Sequence, residues 1–174
     1  DAGLETGIKG AIITDTHMHT SDPCIYAVGD AVQVREFVSG TDAVISLAGP
    51  ANRQGRIAAD NICGIPSEYR GSQGSSVIKV FDMTVATTGL NERTAKAAGI
   101  DYGKVYTYSA SHATYYPGAR NMSVKTLFEK GTGRILGAQI VGYEGSDKRI
   151  DVIATVIRAG GDYRLLEELD LAYA

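Results

Sequence analysis

Apolar and polar positions follow one rhythm before residue 70 and another after it. In the first stretch a β-branched run at residues 11–14 predicts a strand. Residues 25–28, apolar at every position, predict a second strand buried on both faces, which runs out into Gly29 and Asp30. Residues 32–45 mix apolar positions with Gly40, Thr41 and Asp42, the composition of a hairpin-like excursion. A helix is expected from Pro50 to Ile62, with proline suited to its first position and Gly64 placed to end it. Its face of Ala51, Gly55, Ala58, Ala59 and Ile62 is small enough for a close backbone approach, and Arg53, Arg56 and Asp60 fall off that stripe. Gly64 to Gly74, with Pro66, Ser67 and Ser72, reads as loop.

Beyond it the pattern is β-rich. Residues 76–86 are β-rich, and 105–109, 122–129 and 134–141 read as strands, the last two joined by Lys130, Gly131, Thr132 and Gly133 as a hairpin. Asn91 is placed to cap a short helix that Gly99 ends. After Asp147, the positions of Ile150, Ile153, Ala154 and Ile157 follow helical spacing, and Asp162 can start a last helix carrying Leu165, Leu166 and Leu169. The fold class expected is therefore mixed: an α/β piece over residues 1–70, then an α+β domain over 71–174 built on an antiparallel sheet with helices on one side.

Composition narrows the class. With 44% hydrophobic and 21% charged residues among 174, the chain is a globular protein with enough apolar material for a real core. A net charge of −3 argues against a nucleic-acid partner, and no apolar run approaches bilayer length, so no membrane partner is expected and a cytoplasmic location is the default. Cys24 and Cys63 form no C-x-x-C and, flanked by apolar residues, are expected to be buried free thiols. His17, His19 and Cys24 are metal-binding residue types, but their spacing fits no familiar zinc pattern and no metal is expected. The chain opens without methionine, which reads as the interior of a longer protein.

Candidate chemistry concentrates at two points. Asp30, at the end of an apolar run, can accept hydrogen bonds from sugar-type hydroxyls, or can simply cap the next turn. The helix opening on Gly49 and Pro50 offers unpaired N–H groups and the positive end of its dipole to an anion. Together they suit a polyhydroxylated, phosphate-bearing ligand.

These residues, taken in order, resemble the C-terminal part of a flavin-dependent pyridine nucleotide-disulfide oxidoreductase. TSDPCIYAVGDA (20–31) resembles the family's second FAD fingerprint, and LAGPANRQGRIAADNI (47–62) resembles the helix whose start faces the flavin pyrimidine ring. KVFDMTVATTGLNE, SHATYYPGA, ILGAQIVG and DKRIDVIATVIRAG resemble successive pieces of its dimerisation domain. The resemblance covers essentially the whole chain and leans toward the branch of coenzyme A-disulfide reductases and NADH oxidases or peroxidases. It implies FAD contacts at Gly29, Asp30, Ala48, Gly49 and Pro50, with the Asp30 carboxylate on the ribitol. A fixed helix dipole there suits a flavin whose pyrimidine side gathers negative charge on reduction.

By motif, the resemblance assigns Tyr115 and Tyr173 as candidate catalytic groups acting on the partner subunit's site, with Tyr115 and Tyr116 contacting substrate. A phenol can hydrogen-bond a leaving thiolate or a phosphate oxygen, while the plainer role for these tyrosines is aromatic bulk in a sheet and interface. His112, in SHATYYPG, sits where a lone histidine is more often structural. The family's Gly-rich FAD motif, its domain for NADH or NADPH and its redox cysteine are absent, and neither Cys24 nor Cys63 matches that cysteine's motif. The expected parent is a homodimer that passes electrons from NAD(P)H through FAD and that cysteine to a small disulfide such as coenzyme A disulfide. The alternatives are an NADH oxidase or peroxidase acting on an oxygen species, and a stand-alone dimerisation module without catalysis. Alone, this chain is expected to be inactive and to bind FAD weakly or not at all.

Overall fold

The computed structural model describes residues 2–172 and divides the chain into two compact units, Asp1–Gly74 and Ser75–Ala174. The first unit is mostly irregular. Its longest element is helix α1, Ala48–Ile62, preceded by a two-strand antiparallel ribbon of β1, Val34–Arg35, and β2, Asp42–Ala43. Residues 36–41 close that ribbon, with Gly40 at φ 67, whereas Asp42, expected in the turn, pairs with Arg35 in β2. Met18, Val32, Val34, Ile57, Ala58 and Tyr69 form the core, with Tyr26, Ala27, Ala43 and Ile45 packed on it.

Three expectations for this unit are corrected. Residues 11–14 and 25–28 make no regular strands; they hold single bridges, Ile12 with Thr6 and Val32, and Tyr26 with His19. Met18 at φ 73 and Gly29 at φ 80 bend the backbone on either side of the His19–Tyr26 bridge, which stops the ladder from extending. Helix α1 buries Gln54, Ile57 and Ala58, whereas Ala59 and Ile62 of the expected small-residue face are exposed. Cys24 and Cys63 are exposed rather than buried: Cys24 lies in a turn and donates its own N–H to Asp22 Oδ1, and Cys63 follows the last residue of α1.

The second unit is a five-stranded antiparallel sheet. Strands β3, Ser76–Val80, and β4, Met83–Gly89, form a hairpin; β5, Tyr102–Ala110, β6, Asn121–Glu129, and β7, Ile135–Gly142, complete the order β3-β4-β7-β6-β5. Helix α2, Glu92–Ala97, follows β4 and begins with a capping box between Asn91 and Thr94; Gly99, at φ 69, ends it as expected. Helix α3, Ser146–Arg158, packs on β7 and β4, burying Ile150, Ile153, Val156 and Ile157 over Ala86, Ala138 and Ile140. Each such side chain is worth about 1.5–3 kcal/mol relative to exposure. Helix α4, Tyr163–Glu168, starts where Asp162 Oδ1 accepts the Leu165 N–H. The α+β class with helix against one side of the sheet is as the periodicity implied.

The opposite face of the sheet stays open. Register aligns Ile78, Val85, Val141, Ser123 and Tyr108 in one row across all five strands. Ile78 is 62% and Tyr108 71% exposed, and Val80, Met83, Tyr106 and Val141 are exposed beside them. No helix among the described residues is long and apolar enough to cross a membrane.

Candidate functional site

In the first unit the candidate ligand residues lie on two adjoining elements. Gly29–Ala31 forms a single 3-10 turn, closed by the Val32 N–H donating to Gly29 O at 3.3 Å, and helix α1 packs against it. Gly29 needs its positive φ of 80 to make that turn, a conformation other residues adopt only at a cost. The turn presents Asp30 to solvent, and none of the described residues hydrogen-bonds or ion-pairs with its carboxylate.

The start of α1 is equally open. Leu47, extended at φ −141 and ψ 144, accepts the Ala51 N–H on its carbonyl but gives no side-chain cap. Pro50 has no N–H, so Ala48 and Gly49 carry the donors that face outward at the positive end of a 15-residue helix. A Cβ added at Gly49 would meet nothing within 4 Å. An exposed, unpartnered carboxylate and an uncapped helix start are the donor and acceptor chemistry that a polyol with an electron-rich heterocycle requires, so these residues fit a flavin.

One residue that the periodicity missed sits between them. Gln54 is only 1% exposed, and its Oε1 accepts the Gly29 N–H at 2.6 Å. A polar side chain on the same face as Ile57 and Ala58 was the available signal, since the buried stripe runs 54, 57, 58, with Asn61 half-buried beyond it, rather than through Ala59 and Ile62.

In the second unit the loop between β5 and β6 carries the tyrosine pair. Tyr115 is 78% exposed and Tyr116 52%, their rings 5.1 Å apart at 36°. The loop is anchored from beneath: Ala113 is buried, the Tyr116 N–H donates to Ala113 O, and Arg149 on α3 donates from Nη2 to Ser111 O at 3.2 Å. His112 meets the Tyr116 ring edge-on at 6.3 Å, and its Nδ1 lies 3.1 Å from Ser111 Oγ. Tyr173 lies outside the described residues. An open groove of about 660 Å³ runs beside this loop, lined by Lys79, Thr84, Ser111, Arg120, Tyr143 and Asp147 among others, with the Arg120 guanidinium 4.3 Å over the Tyr143 ring.

Electrostatic perturbation falls elsewhere. Hydrogen bonding from Lys104, with Lys125 adding to it, holds the Glu92 carboxyl below the usual glutamate range, and desolvation with the neighbouring Glu92 charge raises the Tyr102 phenol. That cluster ties α2 to β5 and β6 and faces no candidate site residue. His17 Nδ1 lies 3.0 Å from Ser67 O and His19 stacks on Tyr26, and no group of three metal-ligating side chains occurs among the described residues.

An antiparallel sheet with one helix-covered and one open apolar face defines the second unit as an assembly domain of an α+β class. Residues 75–173 match the family described as pyridine nucleotide-disulphide oxidoreductase, dimerisation domain, and the chain belongs to that family. A coenzyme A-dependent NAD(P)H sulfur oxidoreductase of Pyrococcus furiosus is 36% identical over 172 residues, 99% of this chain and 39% of the relative. A coenzyme A disulfide reductase of Staphylococcus epidermidis is 33% identical over 95% of this chain and 38% of its own length. The crystal structure of reduced Bacillus anthracis CoADR-RHD superposes with a TM-score of 0.96 at 51% identity, over 99% of this chain and 31% of that one. The chain thus spans about two-fifths or less of the proteins it matches.

Proposed function

We propose that this chain is the C-terminal part of an NAD(P)H-dependent flavoenzyme that reduces a small disulfide of the coenzyme A type. Residues 1–70 supply one side of the FAD site and residues 71–174 the dimerisation domain. The observation that carries the reading is likeness along the whole chain, at 33–51% identity, to proteins named for coenzyme A disulfide or coenzyme A-dependent sulfur reduction.

In this reading Asp30 accepts hydrogen bonds from the ribitol hydroxyls, and Gly29 lets the backbone turn beneath them. The Ala48 and Gly49 N–H groups and the α1 dipole face the pyrimidine edge, with Pro50 fixing the first turn. Bound FAD supplies the two-electron carrier between the nicotinamide and the disulfide. Tyr115, with Tyr116 beside it, and Tyr173 reach the partner subunit's site in a homodimer, where a phenol holds or donates the proton that a leaving thiolate needs.

The full-length protein tests this directly. Purified, it is expected to carry a flavin spectrum and to consume NADH or NADPH with coenzyme A disulfide. Consumption with oxygen or peroxide alone assigns the oxidase or peroxidase alternative; no flavin and no consumption with any acceptor overturns the reading. The excised chain, separated from unbound FAD by gel filtration, is expected to carry no flavin spectrum.

A further inference from the structure

We propose that Gln54 is a positioning residue for the flavin, locking the turn that carries Asp30 to the helix whose start faces the ring. The inference rests on the FAD reading above and adds a residue to it. Gln54 is 1% exposed and is a buried polar side chain of α1, the helix that borders the turn carrying Asp30. A buried amide is costly unless its polar atoms are used, and Oε1 is used on the Gly29 N–H at 2.6 Å.

That donor is the informative part. Gly29 stands at φ 80 and opens a turn of three residues, so its N–H lies outside any strand ladder or helix. Without Gln54 it would be a backbone donor with no partner at the one point where the direction of Asp30 is set. Gln54 lies in the second turn of α1, one turn beyond the open N–H groups of Ala48 and Gly49, and Ala51 on the same side comes within 3.8 Å of where a Gly29 Cβ would be. A single hydrogen bond therefore couples the carboxylate for the polyol and the helix start for the ring into one rigid piece. A purely apolar residue of the same size would fill the core equally well but would leave the two free to drift. Small displacements of this kind are what second-layer hydrogen bonds prevent at a ligand site.

The test compares three forms of the full-length protein, stripped of cofactor and titrated with FAD. Gln54→Met keeps the volume and removes the acceptor; its FAD affinity is expected to fall about tenfold, with weakened visible circular dichroism of the bound flavin. Gln54→Glu keeps an accepting oxygen at the same reach and is expected to bind within about threefold of the unmodified protein. A Met variant within twofold of the unmodified protein, or a Glu variant as weak as the Met variant, overturns the proposal. A lower Tm with unchanged FAD affinity does so as well, because it assigns Gln54 to core stability alone. If Gln54→Met fails to fold, amide hydrogen exchange on the unmodified cofactor-free protein reads the same contact. The Gly29 N–H is expected to be protected, and exchange at an open-loop rate overturns it. An unmodified protein that binds no FAD defeats the functional reading itself, whereas normal FAD binding by the unmodified protein and by Gln54→Met defeats only this inference.

Discussion

The rings of Tyr115 and Tyr116 lie 5.1 Å apart on the β5–β6 loop, and Tyr115, 78% exposed, has its phenol free of the loop's own hydrogen bonds. A side chain held out from an anchored loop is available to a second molecule. Tyr115→Phe in the full-length protein is expected to lower turnover with coenzyme A disulfide about a hundredfold while leaving Tm unchanged, since general acid–base groups contribute on that scale. Steady-state rates with saturating NAD(P)H measure it. An unchanged rate removes Tyr115 from the catalytic role.

The open sheet face makes a second prediction. Ile78, Val141 and Tyr108 occupy one row across the sheet and are all exposed, although aliphatic and aromatic side chains at such a density are normally covered. Ile78→Lys together with Tyr108→Glu is expected to raise the dimer dissociation constant of the full-length protein at least tenfold, read by sedimentation velocity across a dilution series. A dimer of unchanged strength places this row against another part of the same chain.

How much of this was legible beforehand differs between the units. Most of the second unit was readable from period and caps: Ile150, Ile153 and Ile157 recur at helical spacing, and Asn91 and Gly99 mark both ends of α2, whereas the turn at Phe81 and Asp82 that divides 76–86 between β3 and β4 carries no glycine or proline to announce it. The first unit was not, because its shape is set by single bridges and by Met18 and Gly29 at positive φ, which leave no periodic trace. The buried face of α1 was misread for a related reason: its deepest residue is a glutamine whose partner is a backbone N–H 25 residues away. Residue chemistry suggested Asp30, Gly49 and Pro50 as a ligand pair, and the structure leaves that carboxylate and that helix start open, whereas the bond joining their two elements left no trace in the sequence.

Close backbone approach at Gly137 makes a third prediction. A Cβ there would run into the Leu90 backbone, both its carbonyl and its amide, where the chain crosses from β4 to α2. Neither group is the movable end of a side chain. Gly137→Ala is expected to destabilise the protein by about 2–4 kcal/mol, seen as a lower urea midpoint at unchanged slope. Gly131→Ala, with open space around its Cβ but φ 87, serves as a control for backbone strain without collision.

A pH dependence follows from Glu92. Its carboxyl is held below the usual value, first by the hydrogen bond from Lys104 at 2.8 Å and then by Lys125 at 3.3 Å, so the folded state favours its ionised form. A depressed folded value means the contribution is present above the unfolded-state pKa and fades as pH falls through the folded one. The urea midpoints of the unmodified protein and Glu92→Gln are therefore expected to differ modestly near neutral pH and to converge as pH falls below the ordinary glutamate range. A gap that widens on acidification contradicts the assignment.

The β3–β4 hairpin tip joins two costs that have no return within the described residues. Val80 pairs with Met83, leaving Phe81 and Asp82 as a two-residue turn, and Phe81 stands at φ 52 with 95% of its surface exposed. A turn with positive φ at its first central position favours glycine there, and a side chain in the left-handed region costs about 1–2 kcal/mol. An aromatic ring left in water adds nothing to offset this, and the ring is therefore expected to meet a partner subunit. Phe81→Gly is expected to act with opposite signs on two measurements: the urea midpoint of the full-length protein at low, monomeric concentration rises by an amount equivalent to about 1 kcal/mol, while the dimer dissociation constant increases about tenfold. A stabilised hairpin with an unchanged dimer shows that the ring meets no partner subunit, and a destabilised monomer shows that the ring is packed within its own chain.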